Sequence, residues 1–162
     1  YQDNIDQLQR AFYQVKNEDR ALDEIKNDSS TSETEKKQLI LARTGQGKFK
    51  TAVKRIENKC RITDVNDPEH LIACHIKPWY ISTNQERLDG HNGLFFAPHI
   101  HHLFDKGYLG INQSGVLQVS QNLSKNVINF WHIPNQKNLG KFMPEQIQYL
   151  QYHYDNIFKT QK

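Results

Sequence analysis

The stretch from Leu71 to Asp105 constrains the fold more than any other part of this chain. The apolar run at residues 71–74 predicts a short buried strand that delivers His75 to its end. Asn92-Gly93 starts a second apolar stretch, and Pro98 predicts the start of a short helix. That helix carries three more of the chain's eight histidines, His99, His101 and His102. The order strand, polar loop, strand, helix predicts an α+β fold.

Three side chains in this stretch suit the hydrolysis of a phosphodiester. A histidine at a strand end, facing a polar loop, can act as a general base, since its unperturbed pKa is ~6.5. His101 and Asp105 are four residues apart, so on a helix they share one face. An imidazole and a carboxylate placed in this way can hold a divalent metal ion. Each signal also has a structural interpretation: His75 could pack in the core, and Asp105 before Lys106-Gly107 could be a turn residue.

Three motifs resemble the HNH endonuclease family, whose core is a two-stranded ribbon, a helix and a single metal ion (ββα-metal). They are His75-Ile76-Lys77-Pro78-Trp79, Asn92-Gly93-Leu94 and His101-His102-Leu103-Phe104-Asp105-Lys106-Gly107. The resemblance is closest to a subclass often found as the C-terminal nuclease domain of modification-dependent restriction enzymes. It implies a metal-dependent DNA endonuclease of restriction type, with specificity supplied by a separate reader domain outside this chain.

The resemblance also implies the roles of the site residues. His75 would be the general base, Asn92 would brace the loop around it, and His101 and Asp105 would hold one divalent metal ion. Mg²⁺ or Mn²⁺ is the expected ion, with Zn²⁺ or Ni²⁺ as alternatives. Many relatives carry a further metal ligand just before the base, where this chain has Cys74. A thiolate favours softer metals than Mg²⁺, so we expect Cys74 to be packed and not to bind the metal.

The charge distribution suits double-stranded DNA as a partner. The net charge of +3 divides into −5 over residues 1–35 and +8 over the remainder, and a basic body suits a phosphate backbone. The predicted phosphate contacts are Lys48, Lys50, Lys54, Arg55 and Arg87. The first four could instead form an ordinary solvated helix face, and Arg87 could pair with Glu86 or Asp89.

The chain divides into a helical N-terminal extension, residues 1–42, and a nuclease domain, residues 43–162. Apolar positions from Ile5 to Ile25 predict an amphipathic helix with a break near Asn17. Ser32 with Glu35 forms a capping-box pattern ahead of a second helix. The extension is the expected dimer surface of a homodimer, or a linker. Further along, the sequence predicts a strand over residues 60–63, a hairpin over 108–120, and helices around 127–131 and from residue 144 onward.

No apolar run is long enough for a signal or membrane segment. The two cysteines form no CxxC pair, which fits reduced residues in a cytoplasmic protein. Two other classes of protein remain open at this point. One is a catalytically silent DNA-binding or dimerisation module with the same fold, and the other is an interaction protein with a structural zinc site.

Overall fold

The centre of the fold is an antiparallel ribbon of β1 (Ile72–His75) and β2 (Gly93–Phe96), in which His75 lies opposite Gly93. The computed structural model describes residues 2–160. Around the ribbon lie helices and a second hairpin, and the predicted α+β class is confirmed. The helices are α1 (Gln2–Asn27), α2 (Glu33–Arg43), α3 (Gly47–Lys54), α4 (Asn84–Leu88), α5 (Pro98–Asp105), α6 (Lys125–Phe130) and α7 (Pro144–Asn156). The hairpin pairs β3 (Leu109–Ile111) with β4 (Leu117–Val119).

Every residue of β2 is buried, since α3 and α5 both pack against the ribbon. Gly93 is the position where α3 comes closest. A Cβ atom on this glycine would lie 2.3 Å from Cγ2 of Val53 and 2.9 Å from Cζ of Phe49. The absent side chain therefore lets α3 lie directly against the end of β1 that carries His75.

The N-terminal helix differs from its prediction, because α1 continues through Asn17 without a break. Its C-terminal half and α2 contribute Ala21, Ile25, Leu39 and Ala42 to the same hydrophobic core as the ribbon. The N-terminal half instead exposes a set of large apolar side chains, Leu8, Phe12, Tyr13 and Val15. The division of the chain after residue 42 stays a prediction, and the packing shows that one core spans it.

Two predicted elements near Cys60 and Ser120 are corrected by the structure. Residues 60–63 form a turn and not a strand, because Asp64 N–H donates to Cys60 O at 2.8 Å and closes the chain on itself. The helix after the hairpin is capped by Ser124, whose hydroxyl accepts from the N–H groups of Asn126 and Val127. The sequence alone favours Ser120 or Asn122 as the capping residue, and that prediction is wrong.

The last helix begins at Pro144 as predicted, and its inner face combines apolar and polar side chains. Gln146, Leu150 and His153 are buried, while Ile147 is 38% exposed. The Gln146 amide donates to the carboxylate of Glu57 at 2.9 Å, and Glu57 is in turn paired with Arg61. A buried charge requires such partners, so this network decides which face of α7 turns inward.

None of the helices within residues 2–160 combines the length and apolar character needed to cross a bilayer.

Candidate active site

The His75 side chain is held in one orientation from two sides. Its ring stacks on Phe49 of α3, with centroids 3.8 Å apart and planes 6° from parallel. Its Nε2 atom lies 2.9 Å from the carbonyl oxygen of Arg87. A carbonyl oxygen can only accept, so Nε2 carries the proton and Nδ1 keeps its lone pair. This is the neutral tautomer that a general base needs.

The Nδ1 atom of His75 retains contact with solvent. Among the described residues, one side-chain nitrogen is fully buried without a hydrogen-bond partner, and it is Nδ1 of His153. Nδ1 of His75 is not buried in this way. Burial lowers the pKa of His75 to about 4, because an apolar environment disfavours the imidazolium ion. At neutral pH, His75 therefore presents an unprotonated nitrogen at the surface of an otherwise buried ring.

Asn92 holds together the segment that connects the two strands of the ribbon. It is completely buried, and its Oδ1 accepts from the backbone N–H of Lys77 at 2.8 Å. Its Nδ2 donates to the carbonyl of Glu86 at 3.1 Å. That carbonyl is one residue before the Arg87 carbonyl that receives His75. Asn92 therefore positions His75 indirectly, through the backbone of α4.

Arg87 lies inside the protein and not on its surface. The side chain is 7% exposed, its Nε donates to Trp79 O at 2.9 Å, and one terminal nitrogen donates to Asn84 Oδ1 at 2.8 Å. The guanidinium also lies 4.5 Å from the Trp79 ring centroid, and burial lowers its pKa. At this position the Arg87 side chain faces the interior, away from a bound phosphate, and it forms no ion pair with Glu86 or Asp89. Glu86 pairs with Lys77 instead, at 2.8 Å.

The predicted metal ligands lie next to each other on α5. Nε2 of His101 is 3.0 Å from Oδ2 of Asp105, and both side chains are partly exposed. The hydrogen bond to Asp105 raises the pKa of His101. The Sγ atom of Cys74 lies 3.7 Å from Oδ1 of Asp105, and one donor atom from each of the three residues falls within 4.8 Å of the others. An imidazole, a carboxylate and a thiol fit a divalent metal ion.

The remaining histidines of α5 face elsewhere. His99 and His102 both meet the edge of the Trp131 ring, at centroid distances of 5.8 Å and 6.4 Å. His153 of α7 was not among the predicted site residues. Its ring stacks on Phe104 at 3.7 Å, its Nε2 bonds to Phe104 O at 3.0 Å, and burial lowers its pKa to about 4.

The sequence contains no local signal for the contacts with Phe49, Trp79 or His153. Phe49 and His75 are 26 residues apart in the chain, and the Phe104–His153 contact spans 49 residues. The apolar periodicity of α3 predicts that Phe49 is buried, but not which ring it meets.

Four of the five predicted phosphate contacts lie on the outer face of α3 and at the residue that follows it. Lys48, Lys54 and Arg55 are exposed, Lys50 is half-buried, and none of the four has an ion-pair partner within residues 2–160. Three of these side chains line a groove of about 720 Å³ beside α2 and α4, namely Lys48, Lys50 and Arg55. By contrast, Lys59, which follows α3, pairs with Asp64.

The comparison with known families agrees with this arrangement. Residues 60–112, about a third of the chain, match a family model described as HNH endonuclease. The matched segment contains His75, Asn92, His101 and Asp105, and both strands of the ribbon. No curated protein matches the chain.

Proposed function

We propose that this protein is a metal-dependent endonuclease that hydrolyses DNA phosphodiester bonds, as the cleavage module of a restriction-type enzyme. The observation that carries the proposal is the neutral His75, held by Phe49 and the Arg87 carbonyl, next in the chain to Cys74, which contacts the donor set of His101 and Asp105. His75 and Cys74 are adjacent in β1 and Sγ of Cys74 lies 3.7 Å from Oδ1 of Asp105, so the base and the donor set lie at the same end of the ribbon. The family match over this segment supports the same reaction class.

In the proposed reaction, Nδ1 of His75 accepts a proton from a water molecule as that water attacks the phosphorus atom. The bond between phosphorus and the 3′ oxygen breaks, the 3′ oxygen takes a proton from solvent water and leaves as a hydroxyl, and His75 returns its proton to solvent. His101 and Asp105 would hold one divalent metal ion, Mg²⁺ or Mn²⁺ by resemblance. Such an ion stabilises the negative charge that develops on the phosphate and on the leaving oxygen. Asn92 keeps the Arg87 carbonyl in place, which keeps Nδ1 unprotonated and correctly oriented.

Double-stranded DNA is the proposed substrate, bound through the phosphate backbone. Lys48, Lys50, Lys54 and Arg55 lie on the same helical segment whose inner face holds His75 through Phe49. A phosphate bound to the outer face of α3 would therefore lie at a fixed position relative to His75. Contacts of this kind position a protein on DNA without reading its sequence. Sequence or modification specificity would come from a reader domain elsewhere, and we place the protein in the cytoplasm.

A homodimer is part of the proposal, because one site of this kind cuts one strand. The exposed apolar residues of α1, Leu8, Phe12 and Val15, are spaced by four and three positions. That spacing matches the seam of a helix pair, and a second copy of α1 would cover it.

The deciding experiment uses supercoiled plasmid with Mg²⁺, Mn²⁺, Zn²⁺, Ni²⁺ or EDTA. We expect metal-dependent nicking by the wild-type protein, and a loss of about 10²-fold or more in His75→Ala, the usual contribution of a general base. His70→Ala, which changes an exposed histidine outside the site, is the matched control and should cut normally. DNA binding should survive in both variants.

Two outcomes would refute the nuclease assignment. If the wild-type protein binds DNA but cuts with none of the ions, the chain is the catalytically silent binding or dimerisation module with the same fold. If His75→Ala cuts as fast as His70→Ala, then His75 is not the base.

A further inference from the structure

Cys74 lies where a metal ion held by His101 and Asp105 would be bound. It is the third residue of β1, and side chains alternate between the two faces of a strand. His75 therefore turns towards Phe49 of α3, while Cys74 turns towards α5. The result is a buried thiol 3.7 Å from Oδ1 of Asp105, with the His101 ring on the other side of the carboxylate.

We propose that Cys74 is a third metal ligand, and that this chain has a Cys-His-Asp site selective for zinc-like ions over Mg²⁺. The inference rests on the proposed nuclease function for its role, but the site can be tested without any DNA. It departs from two sequence-based expectations, that Cys74 is only packed and that the ion is Mg²⁺ or Mn²⁺.

The donor spacing supports a shared ion. Two donor atoms bound to one tetrahedral zinc ion at ordinary bond lengths lie about 3.3–3.6 Å apart. The Sγ–Oδ1 distance is 3.7 Å and the Nε2–Oδ2 distance is 3.0 Å. These two distances end on different oxygens of the carboxylate, and one donor atom from each of the three residues lies within 4.8 Å of the others. Side-chain shifts of about 1 Å would therefore place Cys74, His101 and Asp105 around one ion.

The surroundings of the thiol also suit a cation. The thiol is buried and its sulfur lies 3.7 Å from Oδ1 of Asp105, so a bound cation would lie next to the negative charge of the carboxylate. Sγ coordinates such a cation as the thiolate, and the thiol proton goes to solvent. The ion would enter from the α5 side, where the side chains of His101 and Asp105 are 31% and 45% exposed.

The ligand set also determines which ions suit the site. Thiolate and imidazole donors favour Zn²⁺ and Co²⁺, whereas Mg²⁺ prefers oxygen donors and keeps most of its water. Three protein ligands leave the fourth position of a tetrahedral ion open, as in catalytic zinc sites. A phosphate oxygen could occupy that position, so the site is compatible with the proposed reaction.

The test is titration of the purified wild-type protein with Co²⁺, followed by near-ultraviolet absorption. We expect one Co²⁺ per chain and a thiolate-to-cobalt charge-transfer band. Cys60→Ser is the matched control, because Cys60 is the other buried cysteine and lies outside the donor group. This variant should keep the band, while Cys74→Ser should lose it and bind Zn²⁺ at least about tenfold more weakly, since even outer-shell changes cost about 10–100-fold.

Cys74→Asp tests whether the preference of the site can be changed from zinc-like ions to Mg²⁺ and Mn²⁺. An oxygen ligand in place of sulfur should abolish the band and shift the preference towards Mg²⁺ and Mn²⁺. The proposal is overturned if the wild-type protein binds Co²⁺ without a thiolate band, or if Cys74→Ser binds Zn²⁺ as tightly as Cys60→Ser does. The presence or absence of the thiolate band is read from the wild-type protein, so this result holds even if a variant fails to fold.

The spectroscopic and cleavage results separate the two proposals. A thiolate band in a protein that cuts no DNA would support the metal site and refute the nuclease. Nicking with Mg²⁺ in a protein that gives no thiolate band would support the nuclease and refute the Cys74 ligand.

Discussion

Replacing Asn92 by aspartate changes one amide group to a carboxylate of almost identical shape. In the wild-type protein, Oδ1 accepts from the Lys77 N–H, while Nδ2 donates to the Glu86 carbonyl at 3.1 Å. In Asn92→Asp the first hydrogen bond survives. The second becomes a contact between two acceptors, and the new charge lies at a completely buried position. The shape is preserved, so the effect reports on hydrogen bonding and charge.

The expected destabilisation follows from those groups. A buried polar group left without its partner costs about 1–3 kcal/mol, and Asn92→Ala leaves the Lys77 N–H in that state. Glu86 O loses the shorter of its two hydrogen bonds and keeps the one from Asp89 N–H at 3.4 Å, so we expect a total of about 1–3 kcal/mol at pH 7. Asn92→Asp should cost at least as much at pH 7, since it adds a buried charge to the lost donor.

The two variants should differ in their dependence on pH. Burial disfavours the charged form of the carboxyl group that Asn92→Asp introduces, so the pKa of this group in the folded protein lies above its unfolded value. The unfolded chain then loses its proton first as pH rises, and the penalty grows with pH. As pH falls, the protonated carboxyl can donate to Glu86 O, and the stability of Asn92→Asp should approach that of the wild type. Asn92→Ala has no such group and should show no recovery.

Urea unfolding measured at pH 7 and pH 5 gives the free energies, and plasmid nicking under folding conditions gives the activity. Asn58→Asp, at an exposed position, is the matched control and should change neither quantity appreciably. Because Asn92 acts on His75 through the 86–87 backbone, nicking should fall in both Asn92 variants even where they are fully folded. An Asn92→Asp protein as stable and as active as the control at pH 7 would refute this reasoning.

Three further predictions concern other parts of the molecule. The pKa of His153 is about 4 in the folded protein and ~6.5 in the unfolded chain. The free energy of unfolding should therefore fall by roughly 3 kcal/mol as pH drops from 7 to 4. In urea unfolding, His153→Gln should remove this part of the pH dependence. Gly93→Ala should destabilise the fold by about 1–3 kcal/mol through its clash with Val53, and adding Val53→Ala should recover part of this loss in a double-mutant cycle. Leu8→Lys with Phe12→Lys should convert the proposed dimer to a monomer in analytical ultracentrifugation, and a wild-type monomer would contradict the dimer.

The local elements were predictable because their signals lie in neighbouring residues. Pro98 and Pro144 begin α5 and α7, because proline suits the first turn of a helix. Ser32 caps α2 through its hydroxyl, as the sequence pattern indicated. The turn over residues 60–63 was mispredicted as a strand, because a short stretch of alternating apolar and polar residues does not show whether a partner strand exists.

The sequence by itself determined which side chains are available: His75 at the end of a strand, Asn92 before the next strand, and His101 with Asp105 on one helical turn. Only the tertiary structure decided how they are used. The proton position on His75 depends on the Arg87 carbonyl, 12 residues away, and Arg87 itself turns inward because Trp79 and Asn84 offer it partners. Cys74 meets Asp105 across 31 residues. Periodicity and capping record interactions within one element, whereas burial, tautomer and donor spacing arise only when separate elements pack together.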